Sequence, residues 1–241
     1  MLCDDSAGRV GPGHLDARGG CVNEPNLEGI GFTSRRTRDR LITRLEEAGI
    51  QDTAVLEVMR QTPRHIFIDE ALAHRAYEDS SLPIGHGQTI SQPYIVARMT
   101  ELLMAQGRPA RLLEVGSGCG YQTAVLARLA ERVWTVERIG PLLTRARRHW
   151  TQLKLRNITA RVGDGFEGWA EKGPFDGILL AAAPRQVPPT LLQQLAPGGV
   201  LVAPVGDRDE QVLERHWREG DRFFAEALEP VRFVPMLGGT L

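Results

Sequence analysis

The sequence predicts an α/β fold with a mostly parallel central sheet and helices on both faces. Three observations carry this. First, apolar runs of strand length recur at 111–115, 133–136, 158–162, 177–182 and 199–205, and helix-length segments at about 121–130, 140–153 and 188–195 fall between them. Strands that alternate with helices pair in parallel, with the helices covering the faces. Second, the first run leads through Gly116-Ser-Gly-Cys-Gly120 into a helical segment, and the next run, Val133-Trp-Thr-Val-Glu137, ends on an acid. That is the layout of a nucleotide-binding βαβ unit. Third, residues 211–217 and 227–235 are separated by Arg218-Glu-Gly-Asp221, which predicts an antiparallel hairpin on the sheet edge.

The elements before this core read in order. Residues 1–31 hold seven glycines among Asp and Arg, and no aromatic precedes Phe32. Such a segment buries too little apolar area to offset its ordering entropy, so a disordered tail is expected. Ser34 can cap a helix over 35–48 with Leu41, Ile42 and Leu45 on one face and Gly49 at its end. Asp52 can cap a second helix carrying Val55, Val58 and Met59, stopped before Pro63. Residues 64–94 mix short apolar pieces with turn formers, and 95–105 reads as a helix leading to the first strand. At 241 residues the chain can bury one such core with an appendage. The expected division is a single domain over 32–241, with 32–108 a helical, substrate-side part and 109–241 the core.

Bulk properties exclude several classes. A net charge of -1 gives no global basic field for nucleic acid. Cys3, Cys21 and Cys119 are an odd, scattered set with neither a disulfide framework nor zinc spacing, and the six histidines show no metal spacing. No metal is expected. No run of about 20 apolar residues calls for a membrane span, and the start lacks the layout of a secretory signal. A cytoplasmic protein is expected. No heptad or apolar stripe asks for a partner, so a monomer is expected.

The chemistry-bearing positions cluster after the apolar runs, at the carboxyl ends where open parallel sheets bind ligands. The glycine pattern is G-x-G-x-G, at Gly116, Gly118 and Gly120, with Tyr121 where a dinucleotide fingerprint needs a third glycine. It resembles the S-adenosylmethionine loop of class I methyltransferases; a tight turn without ligand is the alternative. Glu114 lies inside the strand, within reach of the loop or of a cofactor amino group. Glu137 falls 21 residues after Gly116, near the spacing at which an acid meets ribose hydroxyls; a solvated strand-end acid is the alternative. Asp164, between Gly163 and Gly165, can accept an adenine amine or form an ordinary Asx turn. Ala181-Ala-Ala-Pro184 either leaves room for a substrate or serves close helix–sheet packing. Residues 84–94, Ile-Gly-His-Gly-Gln-Thr-Ile-Ser-Gln-Pro-Tyr, form a polar loop with defined turns. It has no G-x-S-x-G elbow, so Ser91 is not read as a serine nucleophile.

Here the resemblance becomes specific. Gly87-Gln-Thr-Ile-Ser-Gln-Pro93, followed by a helix and Leu113-Glu-Val-Gly-Ser-Gly-Cys-Gly-Tyr121, is similar to the protein-L-isoaspartate O-methyltransferase family. Thr62-Pro-Arg-His-Ile-Phe67, Gly163-Asp-Gly165, Leu195-Ala-Pro-Gly-Gly199 and Val231-Arg-Phe-Val-Pro235 continue the match, over about 33–240. Met236 stands where leucine is usual, and Cys119 where serine is common. The resemblance implies a Rossmann-like class I methyltransferase fold with an N-terminal helical extension. It implies methyl transfer from S-adenosylmethionine to the free α-carboxylate of L-isoaspartyl residues in damaged proteins, with repair proceeding through a succinimide. It makes Ser91 the active-site serine. Glu114, Gly116, Ser117, Gly118, Gly120, Glu137, Asp164, Gly165 and Thr89 would hold the cofactor. Gln88, Ile90, Gln92, Ala183, Val231, Phe233, Val234 and Pro235 would meet the substrate, with residues 231–235 acting as an edge strand along its backbone. The competing readings are a methyltransferase for a small molecule or RNA, a nicotinamide oxidoreductase, and a non-catalytic binding module.

Overall fold

The computed structural model describes residue 27 and residues 29–241. The disordered-tail expectation therefore falls largely outside the described residues, and a short 3-10 turn, Gly31–Thr33, opens the ordered chain. Helix α1, Arg35–Glu47, buries Leu41, Ile42 and Leu45. Ser34 stands at its N-cap, but the hydroxyl lies 3.2 Å from Thr37 Oγ1 and not on a helix N–H. In α2, Thr53–Gln61, the Asp52 cap forms as expected, with Oδ1 accepting from the N–H groups of Ala54 and Val55.

Residues 64–94 hold more structure than their composition suggests. Two 3-10 turns, Arg64–Phe67 and Glu70–Arg75, lead to a hairpin of β1, Leu82–Gly85, and β2, Gln88–Ile90. Strands this short show no readable alternation. The tip is recognisable afterwards: Gly85, His86 and Gly87 all take positive φ, at 91°, 55° and 68°. Helix α3 is Pro93–Met104, its first turn started by the proline.

The core then alternates β3, Arg111–Val115; α4, Tyr121–Leu129; β4, Arg132–Glu137; α5, Gly140–Gln152; β5, Ile158–Val162; and β6, Phe175–Leu180. A four-residue helix, α6, Pro189–Leu192, precedes β7, Leu195–Gly206, and an antiparallel pair, β8, Gln211–Glu219, and β9, Arg222–Pro230, completes the sheet. The order is β5-β4-β3-β6-β7-β8-β9, parallel from β5 to β7 and antiparallel beyond. The chain steps outward from β3 through β4 to β5, then crosses back to β6. β3 is thus the switch point, and the glycine loop leaves from its carboxyl end.

Two boundaries differ from expectation. The helix expected over 188–195 is the short α6: Pro189 starts it, and it stops after one turn because Leu195 already pairs with Phe175 in the sheet. The edge hairpin turns more tightly than 218–221: Glu219 pairs with Arg222, and Gly220, at φ 59°, makes the turn. Strand β9 consequently ends at Pro230, so residues 231–235 do not continue the hairpin.

Alternation along β3 sends Leu112 to one face of the sheet and Leu113 to the other. Leu112 belongs to the core that also holds Leu45, Val55, Val96 and Leu126 of the helices, while Leu113 belongs to a second core with Trp134, Phe175 and Leu201. Helices α1 to α3 share the first of these cores with the sheet. No helix of the described residues is long and apolar enough to cross a membrane.

Candidate active site

A cleft opens at the carboxyl ends of β3, β4 and β6. Three chain segments wall it. The floor is the loop after β3. Gly116, Gly118 and Gly120 all have positive φ, at 94°, 52° and 90°, a region that glycine adopts without strain. Gly116, Ser117 and Gly118 face the cleft. Gly120 lies behind them: a Cβ there would lie 2.6 Å from Trp150 Nε1, whose N–H donates to the Gly120 carbonyl at 2.9 Å. Close helix packing dictates that glycine.

Glu137 lies on the cleft wall and is buried. Its Oε2 accepts the Gly118 N–H at 2.8 Å and its Oε1 the Ile139 N–H at 2.9 Å. Each oxygen retains a lone pair for a further donor. One side chain thus braces the glycine loop and presents acceptors to the cleft. Glu114 is a correction. Two residues after Leu112 on β3, it shares that residue's face and points under the loop. Its Oε2 accepts from the hydroxyls of Thr123, at 2.5 Å, and Thr135, at 2.7 Å. It is wholly enclosed, and burial pushes its pKa up to about 7 against the pull of the two hydroxyls. It supports the site from below and is not part of the cleft wall.

Beside β5, Gly165 lines the cleft. A Cβ there would lie 2.5 Å from Val115 Cγ1, so glycine lets the loop close on the end of β3. Asp164 does not line it. Its Oδ1 accepts the Phe166 N–H at 2.9 Å and its Oδ2 the Gly239 N–H at 2.6 Å, so an Asx turn forms there, and each oxygen retains a lone pair for a further donor.

The second wall is the hairpin. Gln88, Thr89, Ile90 and Ser91 line the cleft, with Ile84 behind Gly118. Gln92 does not line it; it is the N-cap of α3, its carbonyl accepting the Val96 N–H. Two arginines hold this hairpin: Arg64 Nη2 donates to the Ser91 carbonyl at 2.7 Å, and Arg145 Nη2 to the Ile84 carbonyl at 2.6 Å. Neither was expected at the site from the sequence: Arg64 lies within the matching segment 62–67 without an assigned role, and nothing distinguishes Arg145 from the other arginines.

The third wall joins the end of β6 to the chain after β9. Ala181 and Ala182 face the cleft, while buried Ala183 lies behind them and pairs through its backbone: its N–H donates to Val234 O and its carbonyl accepts from Met236 N. Val234, Pro235, Met236 and Leu237 line the cleft. Val231 and Phe233 do not, and residues 231–235 are no edge strand. The cause is Gln211: its carbonyl accepts the Val231 N–H, its Oε1 accepts the Phe233 N–H at 2.6 Å, and its Nε2 donates to Phe233 O at 3.1 Å. A side-chain amide takes the place of a neighbouring strand and steers the chain back toward Ala183.

Sequence reasoning also missed Arg138, Ile139 and Tyr121 as cleft residues. All three lie in or beside segments that match the family, the glycine loop ending on Tyr121 and Val136-Glu-Arg-Ile139, but a motif match alone assigns them no contact. Among the described residues no group of three or more His, Cys, Asp or Glu is placed to hold a metal ion.

Known proteins share this arrangement. The family model described as protein-L-isoaspartate(D-aspartate) O-methyltransferase matches residues 36–241. Protein-L-isoaspartate O-methyltransferase 1 of Marinobacter nauticus is 62% identical over 215 residues, covering 89% of this chain and 98% of that protein. The enzyme of the same description from Hahella chejuensis is 62% identical over 210 residues, covering 87% and 100%. Among solved structures, one from Plasmodium falciparum, described as a protein-L-isoaspartate O-methyltransferase in complex with S-adenosyl-L-homocysteine, aligns with a TM-score of 0.73 at 27% identity over 83% of this chain and 98% of that one. The chain belongs to the protein-L-isoaspartate(D-aspartate) O-methyltransferase family and is a methyltransferase that uses S-adenosylmethionine.

Proposed function

We propose that the cleft takes S-adenosylmethionine along the β3 and β4 ends and an L-isoaspartyl α-carboxylate at the Ser91 end, and that the protein methylates that carboxylate. The residues present fit the cofactor. Gly116, Gly118 and Gly165 remove the side chains that would fill the floor, Glu137 offers acceptors for a diol, and Val136 and Ile139 give an apolar surface beside it. Bound S-adenosylmethionine supplies a methyl group on a positively charged sulfur.

The chain's own residues have a positioning task. An α-carboxyl of pKa about 3.5 is ionised at neutral pH, so the acceptor needs no strong base. The hydroxyl of Ser91 donates to the carboxylate and orients one oxygen, with Thr89 beside it. Alanines 181 and 182 leave room for the acceptor, and Val234 to Leu237 shield the reacting end from water. The finer assignments extend this reading: Gln88 and Ile90 meet the acceptor on the hairpin side, Val234 and Pro235 on the other. The protein acts as a cytoplasmic monomer on isoaspartyl proteins, and its near-neutral charge supports neither nucleic acid nor membrane as partner.

The observation that carries the reading is the meeting of the Ser91 hairpin and the segment 234–237 over the glycine loop in one cleft. Labelled S-adenosylmethionine and a peptide pair, with isoaspartate or aspartate at one site, test it. Base-labile label on the isoaspartyl peptide alone is expected. Stable label, or none with the cofactor still bound, would refute the acceptor assignment.

A further inference from the structure

Arg64 is the largest fully buried side chain of the described residues. Its Nη2 donates to the Ser91 carbonyl, and its guanidinium carbon lies 5.0 Å from the centre of the Tyr121 ring. Its Nε and Nη1 are buried without a hydrogen-bond partner, and no ion pair among the described residues includes it. Asp79, whose field reaches it, instead accepts the Tyr94 N–H at 2.8 Å. Burial pushes the guanidinium's pKa down, but from a start so high that it stays charged at neutral pH.

An unpaired buried charge is costly, and chains normally pair it or replace it. A carbonyl dipole and an aromatic face compensate it only in part. The two groups it touches, Ser91 and Tyr121, both line the cleft, so the charge sits one residue behind the wall. Low-dielectric surroundings carry its field through that wall with little screening.

We infer that Arg64 is a positioning residue for the acceptor: through the Ser91 carbonyl it fixes the serine turn, and its incompletely compensated charge makes the Ser91 end of the cleft selective for an anion. This rests on the placement of the acceptor carboxylate at Ser91. Its field favours the carboxylate before reaction. That charge is lost as the ester forms, so the effect falls on acceptor binding more than on turnover.

The test uses the protein saturated with S-adenosylhomocysteine and two peptides, one with isoaspartate and one with its neutral α-carboxamide counterpart. Equilibrium binding gives the ratio of their affinities. Wild type is expected to prefer the carboxylate by about tenfold or more. Arg64→Gln keeps a donor for Ser91 O and removes the charge. It should bring the ratio toward one with S-adenosylhomocysteine affinity unchanged, and thermal stability should hold or rise because a buried charge is gone. Arg64→Lys should retain most of the preference. A purely structural role would weaken both peptides together and leave the ratio alone. A wild-type ratio near one, an unaltered ratio in Arg64→Gln, or an equal loss in Arg64→Lys would each overturn the inference; were Arg64→Gln not to fold, the wild-type and Arg64→Lys ratios decide it. Failure of wild type to methylate any isoaspartyl peptide would remove the acceptor, and this inference with it. Methylation with a charge-blind binding ratio would overturn Arg64's part alone.

Discussion

Ser91 lines the cleft while its carbonyl is tied to Arg64 behind, so its side chain can be altered without freeing the turn that carries it. Ser91→Ala removes one hydrogen bond to a charged acceptor. Turnover on isoaspartyl peptide should fall about ten- to hundredfold, with calorimetric affinity for S-adenosylhomocysteine unchanged; wild-type turnover would take Ser91 out of the mechanism. Glu137 offers no such clean test, because the carboxylate that faces the cleft also caps the Gly118 and Ile139 N–H groups. Glu114 gives a pH signature instead. Its pKa of about 7 in the fold lies above that of an unfolded glutamate, so the native state holds its proton more tightly. The stabilisation it contributes is then fully present below the unfolded pKa and is lost as pH rises through 7, by an amount on the order of 3 kcal/mol. Glu114→Gln, neutral at every pH, should flatten that slope between pH 5 and 7.5 in urea titrations. An equal slope in both proteins would assign the titration elsewhere.

At the scale of elements, what could be read from the sequence follows from repetition. Strands β3 to β6 and helices α4 and α5 show runs long enough for period and flanking glycine to place them within a residue or two. The β1–β2 hairpin is too short for that, and its strands were missed although its motif was quoted. The fate of residues 231–235 was not legible, because the partner that ends the hairpin is one side chain, Gln211, more than twenty residues away. For Glu114 the choice between loop and cofactor stays open in the sequence, which gives position along a strand but not that the hydroxyls of Thr123 and Thr135 already occupy the carboxylate. Gln211→Ala strips both backbone groups of Phe233 of their partner. A loss of about 1–3 kcal/mol in unfolding free energy is expected, with a raised KM for isoaspartyl peptide as residues 234–237 lose their anchor. A variant with native stability and kinetics would show that the Ala183 pairing alone holds the segment.

On the scale of the whole molecule, a chain of polar contacts joins the first helices to the last strand. Glu101 accepts the Gln51 and Asp52 N–H groups and pairs with Arg98; Arg98 and the Tyr94 hydroxyl both reach Glu229, next to the end of β9. The helix that follows Ser91 is thereby linked to the strand that precedes Val231. Arg64, Arg145, Gln211 and Ala183 hold the same two walls from other directions. A cleft anchored from so many sides leaves the shape change to the acceptor. Isoaspartate in a rigid segment of a folded protein should be methylated only as fast as that segment opens, a rate that hydrogen exchange of the acceptor reports. Rates independent of acceptor opening would show that the walls yield instead. Repair of this kind acts on fluctuation: among equally damaged molecules, those that breathe are served first.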